Sequence, residues 1–142
     1  MPLRVLASIL AEHRRAPFDL LHVFWLVPGG VVAAVAGQLI RRPVLAHVGG
    51  GAIARIPNFG HQLYWRGRLW ARLALAGASR ISAASELVVR EINRRGYHAD
   101  RVPLGVDLRR WPVVAPRPRV AGARARLVHV GSLNPVKDQT TL

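Results

Sequence analysis

The chain reads as an α/β protein, a parallel sheet with flanking helices, and two observations predict it. Short apolar runs with a β-branched bias alternate with stretches of helical period, and the runs close on glycine or serine, where a strand hands over to a helix. Apolar residues fill 51% of the 142 positions against 20% charged, enough for a sizeable core and too many for a disordered chain.

Leu3 to Arg14 carries Leu3, Leu6, Ile9 and Leu10 at helical spacing, and Pro17 stops it. Leu20 to Trp25 is the first strand, with His22 inside it as a hydrogen-bonded core residue. Pro28-Gly29-Gly30 turns the chain into Val31 to Ile40, whose small apolar residues suit a helix buried against a sheet. Arg41-Arg42 then sit at its favourable C-terminal pole. Leu20 to Ile40 lacks formal charge over about the length of a membrane span. The Pro-Gly-Gly break divides it into a strand and a helix instead.

Pro43 to Val48 is the second strand, closed by Gly49-Gly50-Gly51. Strand, helix, strand makes a βαβ unit, and its right-handed crossover requires parallel strands. Ala52 to His61, with Pro57, Asn58 and Gly60, favours a loop. Gln62 to Ala78 reads as an amphipathic helix. Leu63, Leu69, Trp70 and Leu73 take its inner half and Arg68 and Arg72 its outer half, with Arg66 interrupting the apolar side.

Arg80 to Ala84 is the third strand. Ser85 is the N-cap of a helix over Glu86 to Arg95, with Glu86 in its first turn, Arg94 and Arg95 in its last, and Gly96 just beyond. Asp100 to Pro103 is a short fourth strand, and Gly105 supplies the turn after it. Residues 112–126 hold three prolines, four arginines and no acid, with neither period, which is the composition of a linker. Leu127, Val128 and Val130 then form another strand that ends at Gly131. A loop over Ser132 to Asp138 follows, and Asp138 caps a helix start. In an open α/β sheet such a turn lies where ligands bind, and a helix N-terminus there offers free N–H groups to a phosphate.

Charge is lopsided: 21 Lys and Arg against 7 Asp and Glu, a net +14, with Lys137 the one lysine. Such a field attracts phosphates, nucleic acid or anionic lipid. The chain has no cysteine, which excludes disulfides, thiolate metal sites and a cysteine nucleophile. Val5 to Leu10 is too short for the apolar core of a secretory signal. No His cluster has metal-ligand spacing, and the scattered acids offer no hydrolytic carboxylate pair.

Three segments, Val130 to Asp138, Asp19 to Trp25 with Pro28-Gly29-Gly30, and Pro103 to Leu108, together resemble family 4 retaining glycosyltransferases of the GT-B fold. The first is similar to the family's G-R-L-x-x-x-K-G loop, the second to its acceptor-domain strand and loop, and the third to its P-N-G-V-D junction. The likeness runs from Asp19 to Leu142. It implies a Rossmann-like, acceptor-side domain, partial, over residues 1–111, the linker over 112–126, and the opening of the nucleotide-sugar domain over 127–142. It further implies transfer of a sugar from a nucleotide-diphosphate donor to a hydroxyl of a glycan or lipid of the cell envelope, with retention. The family needs no metal or bound cofactor, the nucleotide sugar being a co-substrate. The family's acidic donor-gripping motif would fall after Leu142, so the 142 residues alone are expected to be a fragment with little activity. The implied location is cytoplasmic, with peripheral contact at the inner face of a membrane and no nucleic-acid partner.

The resemblance assigns Lys137 to the donor diphosphate, where a cation stabilises the charge that grows as the sugar leaves. Gly131 lets backbone approach the donor. Ser132 stands where the family usually has arginine, so it can hydrogen-bond a phosphate without neutralising it. The family places a histidine near the transferred sugar, and His47, beside Gly49 and Gly50, takes that part with its H-G-x-D spelling stretched. Gly29, Gly30, Gly105 and Asp107 are expected to form turns lining the cleft, with Leu104 in place of the junction asparagine. The competing expectation, from charge and the tryptophan-bearing helix, is a non-enzymatic basic module that binds anionic membrane or nucleic acid.

Overall fold

The computed structural model describes residues 2–50, 53, 65–115, 122, 124 and 128–131. The chain divides into two units, Met1–Pro103 and Leu104–Leu142. In the first, β1 (Leu21–Phe24), β2 (Val44–Val48), β3 (Arg80–Ala83) and β4 (Asp100–Arg101) pair in that order, all parallel. Among the described residues four α-helices accompany them: α1 (Pro2–Arg15), α2 (Val31–Ile40), α3 (Trp65–Ala76) and α4 (Glu86–Asn93). Each crossover steps one strand in the same direction. Right-handed connections therefore bring α2, α3 and α4 to one face of the sheet.

That face holds the core. Ala46 and Val48 of β2 and Ile81 and Ala83 of β3 pack with Ala71, Ala74 and Leu75 of α3 and Val88, Val89 and Ile92 of α4. Several of these residues are small, because the helices approach closely. A Cβ on Gly30 would stand 2.7 Å from the Ala74 Cβ, so the turn Leu26–Gly30 admits α3 only as glycine. Val27 is extended within that turn. The uncharged stretch is thus a strand, a break and a ten-residue helix, and among the described residues no helix is long and apolar enough to cross a membrane. Ser85 caps α4 by accepting from the Val88 N–H at 3.4 Å, and Glu86 and Glu91 pair with Arg90, Arg94 and Arg95 along its surface.

Three expectations are corrected. His22 is exposed, not a core residue, because strand alternation turns it to the face away from the helices, where it stacks on Phe24 at 4.4 Å. Helix α3 buries Ala71, Ala74 and Leu75, whereas Leu69 and Leu73 face outward. Side-chain size, set by the close approach of the Leu26–Gly30 turn and α2, selects the inner face over hydrophobicity. Residues 128–130 form no strand, and Val128 and Val130 are exposed; among the described residues no strand pairs with them, so the apolar run gains no ladder. Most of the 52–61 loop, Leu63 and much of the linker lie outside the described residues.

Candidate functional site

Parallel strands deliver their carboxyl ends to one edge of the sheet, and the loops that follow them form the ligand side of such a domain. Here that edge gathers Trp25 after β1, Gly49 and Gly50 after β2, and Ser85 after β3. His47 lies one residue before the end of β2 and, with Leu45, points away from the helix layer.

The β2–β3 register pairs His47 with Ser82. Their side chains share a hydrogen bond of 3.0 Å between His47 Nδ1 and Ser82 Oγ, and both residues are buried. The imidazole is held from that side whichever partner donates. One tautomer leaves Nε2 as an acceptor and the other as a donor. Phe24, paired with His47 across β1, places its ring 5.3 Å from the imidazole. A buried, oriented histidine flanked by an aromatic ring can donate or accept one hydrogen bond toward a bound hydroxyl.

Trp25 was not singled out by sequence and is the most unusual residue of this edge. Its backbone sits at φ 73°, ψ 122°, a region that residues with a side chain seldom occupy. Its N–H donates to the His47 carbonyl at 3.2 Å, and its indole lies over Gly49, where an added Cβ would stand 2.8 Å from Cε3. Gly49 thus makes room for the tryptophan. Gly50 faces Val88 at ordinary contact distance and accepts from the Ile53 N–H at 3.3 Å. Gly29 and Gly30 pack against Val23 and Ala74. Ser82, like Trp25, escaped the sequence reading, since only the strand register brings it to His47.

Gly105 and Asp107 belong to the second unit. Asp107 organises a local turn there: its carboxylate accepts from the Arg109 N–H at 3.0 Å, and its carbonyl from those of Arg110 and Trp111 at 3.0 Å. Gly131 is described and exposed, while Ser132 and Lys137 lie outside the described residues.

Parallel strands with the described helices packed along them define a Rossmann-like α/β domain. The chain belongs to the glycosyl transferase 4-like domain family, whose sequence profile matches residues 1–105. It is therefore a glycosyltransferase domain, with a sugar donor and an acceptor as its substrates. No curated protein matches the chain at a significant level.

Proposed function

We propose that this domain presents the acceptor in a GT-B enzyme that moves a sugar from a nucleotide-diphosphate donor to a hydroxyl of a glycan or lipid, with retention. The observation that carries this reading is the His47–Ser82 pair at the carboxyl edge, in a chain of this family. In the reaction, the bond from the anomeric carbon to the diphosphate oxygen breaks. A bond from that carbon to the acceptor oxygen forms, and the acceptor hydroxyl's proton passes to the departing diphosphate oxygen. His47 hydrogen-bonds the transferred sugar, and Ser82 positions the imidazole. Gly131, Ser132 and Lys137 meet the diphosphate, where the ammonium stabilises the departing charge. Positioning and electrostatics carry the catalysis, and neither metal nor bound cofactor takes part.

The test is a radiolabelled-donor assay with the protein expressed from its native reading frame, offered nucleotide sugars in turn with envelope glycans and lipids. Label should pass to an acceptor, and His47→Ala should lower kcat by about a hundredfold, the scale of a lost transition-state contact. Lys137→Ala should lower it at least as much. A product of inverted anomeric configuration removes the retention claim, and undiminished turnover by His47→Ala removes the site.

A further inference from the structure

We propose that the outward face of α3 docks on an anionic lipid bilayer. Successive helical residues are about 100° apart, so the buried residues Ala71, Ala74 and Leu75 define an inner side and its opposite. On that opposite side lie Trp65, Leu69 and Leu73, at 69%, 47% and 50% exposure, spaced four residues apart in one stripe. Arg66 borders the stripe on one flank and Arg68 and Arg72 on the other, all three exposed. The Arg66 guanidinium reaches over the Trp65 ring at 5.3 Å. No acid occurs on this helix.

Both sides of α3 are therefore apolar, and the core accounts for only one. A narrow apolar stripe between arginine rows matches the boundary between lipid headgroups and acyl chains. Leucines and tryptophan enter that boundary while the guanidinium groups extend to lipid phosphates. Charge selects the partner: three arginines without a counter-acid, on a chain of +14, complement an anionic surface. A nucleic acid would engage the arginines and leave the leucines in water, so it does not explain the stripe. The inference concerns where the enzyme sits and stands apart from the donor chemistry, and its test contains no nucleotide sugar. Either can fail alone.

The experiment is co-sedimentation of the 142-residue chain with phosphatidylcholine vesicles, with and without phosphatidylglycerol. Binding should require the anionic lipid. Replacing Arg66, Arg68 and Arg72 together by Gln should weaken it about a hundredfold, from roughly fivefold per cation. The matched change at Arg101, Arg109 and Arg110 removes the same charge and should weaken it far less. Leu69→Ser with Leu73→Ser should also reduce binding, with an unchanged thermal midpoint because both side chains are already exposed. Equal loss from the two arginine triples, full binding by the leucine double variant, or no vesicle binding at low salt each overturns the proposal. So does duplex DNA binding that needs the three arginines but not the leucines, which would assign the face to nucleic acid.

Discussion

The two faces of β2 make opposite use of one strand. Val44, Ala46 and Val48 point toward the helices and are buried in a tight apolar layer. Leu45 and His47 point the other way, into a row completed by His22 and Phe24 of β1, Arg80 and Ser82 of β3, and Asp100 of β4. Among the described residues no helix covers that row. One face is packed by apolar volume, and the other holds a side-chain hydrogen bond between His47 and Ser82. Parallel sheets usually carry apolar residues on both sides, and this row departs from that pattern with a buried His47–Ser82 pair at its centre.

The contrast breaks first, and most visibly, on the helix face. Ile92 is fully buried in the core, so Ile92→Ala should cost about 2–5 kcal/mol, measured by chemical denaturation. A loss below that range would show the helix layer to be loosely packed. On the opposite face, Ser82→Ala leaves a buried imidazole nitrogen without its partner and should cost about 1–3 kcal/mol. If His47 is positioned through Ser82, the same variant should lower kcat more than it raises KM. Phe24→Ser, in the same row but 53% exposed, should cost about 1 kcal/mol or less. A penalty equal to that of Ile92→Ala would mean that the open row is part of the core.

The smallest effect is electrostatic. Glu91 on α4 has its pKa lowered, first by the hydrogen bond from Arg94; desolvation, next in size, opposes this, and the charge of Arg95 adds to the lowering. A carboxyl depressed in the folded state contributes stability above its unfolded pKa and loses it as pH falls through the depressed value. Glu91→Gln should therefore flatten the acid limb of the stability profile, with little change at neutral pH beyond the lost surface pairs, and added salt should narrow the difference. An unchanged acid limb would show that the ion pairs at this helix end do not contribute.

Much of the fold was legible because its signals are local. Pro28, Gly29 and Gly30 break the uncharged stretch wherever they occur, and Ser85 with Glu86 announces α4 before any contact is known. The candidate site was legible only in part. His47 is visible as a histidine at the end of a strand before three glycines. Ser82 is an ordinary serine until the register sets it beside the imidazole, 35 residues away in sequence. Trp25 carries no local sign of its positive φ. His22 has the same strand neighbours as a core histidine and differs only in which way the pleat turns it.

By itself the sequence determined the order of strands and helices, their parallel sense and the absence of an unbroken apolar span in Leu20 to Ile40. Period, turn chemistry and the handedness of crossovers act over a few residues or follow from chirality. Tertiary structure alone decided that α3 turns its alanines inward and its leucines out, that His47 meets Ser82, and that Gly49 yields to Trp25. Those choices depend on how closely two elements can approach, which is set by the volumes of residues far apart in the chain.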